Sequence, residues 1–72
     1  MEIAQLLGQN IRRLRQQKSW SQEQLSEATG LHRTYISQIE RGVRNPTLTI
    51  IQKFSDALGV QVPVLLSTGD EA

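Results

Sequence analysis

The chain has no cysteine, two prolines, and a single phenylalanine, tryptophan and tyrosine in 72 residues. Without cysteine there is neither a disulfide framework nor a thiolate metal site. With so few aromatics the core must be aliphatic, and a chain this short lies near the lower limit for a self-sufficient core. One domain is expected, with stability to gain from dimerisation. The longest apolar run, VPVLL at 62–66, falls far short of the ~20 residues that span a bilayer. The opening MEIAQLLGQN lacks the basic start and long apolar stretch of a secretory signal. These absences make a soluble cytoplasmic protein the expectation, with no membrane partner.

Catalytic groups are equally scarce. One histidine, no cysteine, no glycine-rich phosphate loop and no close acid pair leave no nucleophile–base set, so no enzyme is expected. His32 stands alone and suits a helix cap or the surface better than a metal site. No cofactor is implied, and a small-molecule effector is not indicated.

No proline precedes Pro46, and the apolar residues keep a helical period. Ile3, Leu7, Ile11 and Leu14 predict an amphipathic helix over about 2–17. Gly8 falls inside it, either a close-packing point or a tolerated cost of about 1 kcal/mol relative to Ala. Ser21 and Gln24 fit a capping box that opens a second helix, about 22–29, ended by Gly30. A third helix is predicted over about 33–41, ended by Gly42, with His32 at its cap. Thr47 caps a fourth, LTIIQKFSDAL, closed by Gly59. A short fifth begins around Pro63 and covers about 62–67. Nothing alternates with a strand's period. The expected fold is all-α, a compact five-helix bundle over residues 1–66, followed by a flexible tail, 67–72.

The charge is unevenly spread. Between Ile11 and Arg44 seven basic residues face three acids, a local balance of +4, whereas the rest has one lysine against four acids, −3. The basic segment contains the third helix and suggests a polyanionic partner. Placing Ile36 at zero and advancing ~100° per residue puts Ile39 at about 300° and the inward direction near 330°. Arg33, Thr34, Ser37, Gln38 and Arg41 then occupy the opposite arc, which carries no acid. Glu40, at about 40°, lies on the inner flank, where an acid needs a partner. Arginine can bond guanine, glutamine adenine, and serine or threonine several base edges. Two short helices about a tight glycine turn, the second with such a face, make a helix-turn-helix arrangement.

The segments SQEQLSEATGLHRTYISQIERGVRNPTLTIIQKFSDALGV and LGQNIRRLRQQKSW resemble the XRE family, the helix-turn-helix fold of the lambda-type repressors and Cro proteins. The resemblance covers about residues 7–66. It rests on Gln22, Leu25, Gly30, Ile36 and Ile39 in register, then IERG, NP and ALGV. The RTYIS and IERG wording is also similar to the small controller proteins of restriction–modification systems.

The resemblance implies double-stranded operator DNA as partner, with Arg33, Thr34, Ser37 and Gln38 facing bases in the major groove. It places Ser21, Gln22, Tyr35, Arg41 and Arg44 against the phosphate backbone, Tyr35 being equally suited to packing on a neighbouring helix. It also implies a structural ion pair between Arg15 and Glu40. Two positions depart from the family pattern: Ser26 stands where Ala is usual, and Thr29 where an apolar residue is. Their hydroxyls are expected to bond carbonyls of the preceding turn.

One recognition helix reads only a few base pairs, so a symmetric homodimer on a partly palindromic operator is expected, acting as a repressor. Val62, Val64, Leu65 and Leu66 form the expected dimer surface, since Leu65 and Leu66 cannot both enter one small core. The competing reading is a protein-interaction module, such as an antitoxin, built on the same fold.

Overall fold

In the computed structural model, which describes residues 2–68, the helical periods resolve into five α-helices and, among the described residues, no strand. They are α1 (Ile3–Gln17), α2 (Gln22–Thr29), α3 (Arg33–Glu40), α4 (Leu48–Leu58) and α5 (Val62–Leu65). The fifth helix is shorter than expected, ending at Leu65. Most of the expected tail, from residue 69 onward, lies outside the described residues.

Every helix sends at least one side chain to the centre. Ile11, Leu25, Ile36, Ile39, Phe54 and Leu65 are almost wholly buried, and Leu7, Ile51 and Leu58 complete the cluster. Each such side chain contributes roughly 1.5–3 kcal/mol relative to exposure. That matters most for α2 and α3, whose eight residues each are too few to persist as isolated helices in water. They exist because Leu25, Ile36 and Ile39 are held by α1 and α4.

Local chemistry then sets the ends. The Ser21 hydroxyl accepts from the Gln24 amide at 3.1 Å while Gln24 Oε1 accepts from the Ser21 amide at 2.7 Å, a complete capping box. Thr47 Oγ1 accepts from the Ile50 amide at 3.2 Å and opens α4. The end of α1 is less comfortable. The Trp20 and Ser19 amides donate to the carbonyls of Arg15 and Gln16, a Schellman closure. That closure puts Ser19 at φ 58°, where glycine would sit without strain.

Gly8 is a contact point. It is buried, and a Cβ there would lie 2.3 Å from the Ile39 carbonyl oxygen and 2.8 Å from that of Glu40. Only the missing side chain lets α1 run this close to the end of α3. Two residues further along α1, Asn10 pins α5. Its Nδ2 donates to the carbonyls of Leu65 and Ser67, both at 2.8 Å, and its Oδ1 accepts from Arg13 at 3.0 Å. The buried amide thus has its polar atoms engaged, as burial requires.

Candidate nucleic-acid interface

The third helix shows one apolar and one polar side, as its angles require. Ile36, Ile39 and Glu40 are buried; Arg33, Thr34 and Arg41 are exposed, and Tyr35, Ser37 and Gln38 are half-buried. The helix starts on His32, whose Nδ1 accepts from the Thr34 amide at 3.1 Å. Its ring therefore carries its proton on Nε2 when it caps.

The turn from α2 into α3 is held by the two residues that depart from the family pattern. Thr29 Oγ1 donates to the Leu25 carbonyl at 2.9 Å, the preceding turn, and accepts from the Leu31 amide at 3.2 Å. Ser26 behaves differently from expectation. Its hydroxyl bonds forward to the Leu31 carbonyl, across the turn, rather than back along its own helix. The cause is Gly30, whose left-handed backbone folds Leu31 over the last turn of α2. Both hydroxyls fasten the turn instead of loosening it.

The far end of α3 is clamped by charge. Arg15 Nε and Nη2 donate to the two Glu40 oxygens at 2.7 and 3.0 Å, and Arg15 Nη1 donates to the Trp20 carbonyl at 2.7 Å. Gln22 Nε2 adds a bond to Glu40 Oε1 at 3.1 Å. The Arg15 and Glu40 side chains are only 11% and 4% exposed. The hydrogen bond to Glu40 raises the Arg15 pKa above its ordinary value against the opposing effect of burial. A bidentate arginine–carboxylate fork also fixes direction. It ties α1, the start of α2 and the end of α3 into one frame, and so fixes the attitude of the exposed face.

The other candidate residues fall into distinct places. Ser21 is exposed at the start of α2, with its hydroxyl proton still available for donation beyond the cap. Gln22 is half-buried; one amide N–H serves Glu40 and the second remains for another acceptor. Tyr35 packs against the core. Arg44 stands over the Tyr35 ring, 5.4 Å from its centroid, and donates from Nε to Gln38 Oε1 at 2.7 Å.

The expected dimer surface needs a correction. Leu65 is fully buried within its own chain and cannot face a partner. Asn10 holds its carbonyl, and the short helix turns that side chain into the core. Val62 and Leu66 are half-buried, and Val64 is exposed. Leu66 borders an apolar depression of about 200 Å³ shared with Ile3, Leu7, Leu48 and Ile51, of which Leu48 is 82% exposed.

A helix-turn-helix model matches residues 11–65, most of the chain. The chain belongs to the helix-turn-helix family. Within that family it is 55% identical over 65 residues to the control protein C.BamHI of Bacillus amyloliquefaciens, covering 89% of this chain and 80% of that one. Among solved structures it is similar to the restriction–modification controller protein C.AhdI of Aeromonas hydrophila. There the identity is 40% and the TM-score 0.83, over 86% of this chain and 94% of that one. It also matches the biofilm master regulator SinR, solved in complex with DNA, at 37% identity and a TM-score of 0.80, over 85% and 98%. The resemblance to the XRE family and its controller proteins is thereby substantiated, as is the five-helix fold.

Among the described residues no group of acids and histidines is placed to hold a metal, and no helix is long and apolar enough to cross a membrane. Two structural residues escaped the sequence-level reasoning. Asn10 lies on the apolar stripe beside Leu7 and Ile11, and a lone amide on such a stripe is a usable signal for a buried latch. The bond from Gln22 to Glu40 had no such signal, because it joins residues that only the tertiary packing brings together.

Proposed function

We propose that this helix-turn-helix protein is a sequence-specific, double-stranded-DNA-binding transcription regulator, acting in the cytoplasm as a homodimeric repressor on a partly palindromic operator. The observation that carries the proposal is the outer face of α3. It is free of acids, with Arg33, Thr34 and Arg41 exposed and Ser37 and Gln38 half-buried, while Glu40, the only acid of the helix, is turned inward and neutralised by Arg15. A groove lined by phosphate would repel an acid there. Here it meets Arg33, Thr34, Ser37 and Gln38 on a helix whose two ends are both fastened.

In this reading Arg33, Thr34, Ser37 and Gln38 face base edges, where arginine and glutamine make the most discriminating bonds. Ser21, Gln22, Tyr35 and Arg41 serve the backbone and set the register of the helix in the groove. Their available hydroxyl, amide and guanidinium protons are the donors that such contacts need. The exposed amides at the start of α2 favour an anion as well. Two copies supply the information that one helix lacks. The dimer surface is assigned to Val62, Val64 and Leu66, extended by Ile3 and Leu48, which with Leu66 border the apolar depression. Repression then follows from occupancy, a bound dimer covering the site that polymerase would use.

Selection of bound sequences from a random duplex pool tests this. The expected result is an enriched motif with two-fold symmetry and half-sites about one helical turn, roughly 34 Å, apart. A pool that stays random after repeated rounds, with duplexes of every composition competing equally, would refute base reading.

A further inference from the structure

The chain leaving α3 doubles back onto the helix. Gly42 takes φ 76°, and the Val43 amide closes onto the Gln38 carbonyl at 3.1 Å. A Cβ on Gly42 would lie 2.9 Å from the Cα of Gln5, so both backbone conformation and space reserve the position for glycine. This reversal returns Arg44 to the outer side of α3. There its Nε reaches Gln38 Oε1 at 2.7 Å, and its guanidinium carbon stands 5.4 Å from the Tyr35 ring centroid. Tyr35 is packed against the core, so the ring is a fixed platform rather than a loose neighbour.

The chemistry of this trio is directional. Arginine carries five N–H donors and no acceptor, so the atom of Gln38 facing it must be the carbonyl oxygen. A glutamine with neither end engaged offers adenine a donor and an acceptor together, matching N7 and the N6 amino group. Guanine presents two acceptors, N7 and O6, in the same groove. A glutamine whose carbonyl is held by a cation has its donor end to offer, beside the guanidinium's other N–H groups. The bond is charge-assisted, hence stronger than an ordinary amide contact, and the ring beneath steadies the guanidinium. No acid on α3 competes for Arg44, because Glu40 is committed to Arg15.

We infer that Arg44 is a specificity-determining positioning residue: resting on Tyr35, it turns the Gln38 carbonyl to itself, so that Gln38 reads a G·C pair rather than an A·T pair. The inference rests on the proposal that the outer face of α3 reads bases. It replaces the backbone contact expected for Arg44 with a role exerted through Gln38.

The test is selection from a random duplex pool with the wild type, Gln38→Ala and Arg44→Ala run in parallel. Gln38→Ala identifies the base pair concerned as the one whose preference flattens. At that pair the wild type is expected to favour G·C. Arg44→Ala is expected to lower the G·C over A·T ratio by about fivefold or more, the remaining motif being unchanged. Loss of a cation weakens binding to every duplex, so the shift in base preference, not the affinity, is the readout. If Arg44→Ala does not fold, Arg44→Met keeps an apolar stem against Tyr35 without any donor and serves the same measurement. A wild-type preference for A·T at that pair, or a G·C preference that survives loss of Arg44, overturns the inference and leaves base reading intact. A wild-type pool with no enriched motif overturns both.

Discussion

Replacing Gly8 with alanine should destabilise this protein, although alanine is the better helix former. In an unobstructed helix the change would stabilise by about 1 kcal/mol. Here the added Cβ would lie 2.3 Å from the Ile39 carbonyl oxygen, 2.8 Å from that of Glu40 and 3.0 Å from the Glu40 carbonyl carbon. Those are backbone atoms at the end of a helix, and they cannot swing aside as a flexible side chain would. α1 and α3 must part by roughly 0.7 Å merely to reach 3.0 Å, which falls in the regime of overpacking, about 1–3 kcal/mol. Backbone against backbone argues for the upper end, so after the helix gain the net loss is about 2 kcal/mol. The same separation strains the fork between Arg15 and Glu40, because Glu40 moves with the end of α3. A domain of this size has roughly 4–10 kcal/mol in total, and a loss of 2 kcal/mol lowers Tm by about 8–16 °C. Thermal and urea unfolding followed by circular dichroism at 222 nm would measure this, with Gln9→Ala as the exposed neighbouring control. The sign decides. A Gly8→Ala midpoint at or above wild type would show that the helices do not meet as closely as the packing requires.

Three further outcomes follow from the same geometry. Arg15→Ala leaves a nearly buried carboxylate with only Gln22 as partner, a loss of about 3–5 kcal/mol; a urea midpoint within error of wild type would refute the clamp. Ser19→Gly relieves a left-handed backbone at the end of α1 and should stabilise by about 1 kcal/mol, read as a rise in Tm of several degrees, whereas an unchanged or lower Tm would contradict it. Arg33→Ala should cost about 1–3 kcal/mol on the best duplex found by selection and relax the preference at one base pair, measured by fluorescence anisotropy on operator and random DNA. Equal losses on both duplexes would remove Arg33 from base reading.

Much of the frame was legible because it depends on neighbours along the chain. Ser21 with Gln24, Thr47 with Ile50, and the glycines that end helices each act over three or four residues, so the helix boundaries could be placed to within a residue or two from sequence. The fifth helix, short and without a strong stop, was the least well bounded. The inward turn of Glu40 was likewise a matter of angle within one helix, though its partner Arg15, 25 residues away, came from family resemblance. Val64 and Leu65 show where this kind of inference ends. Adjacent apolar residues in a four-residue helix are equivalent until the rest of the bundle decides which one enters it.

Periodicity, capping chemistry and turn residues thus determined, from sequence alone, that this chain is five helices with one acid-free face on the third. Tertiary structure alone decided that Gly8 sets the spacing of α1 and α3, that Asn10 holds α5, and that Arg44 returns to grip Gln38. The physical reason is the reach of the interactions. Local rules act through bonds and dihedrals a turn apart. A side-chain hydrogen bond needs its atoms within about 3 Å, and which distant groups meet at that distance is settled only when every helix has been packed against the others.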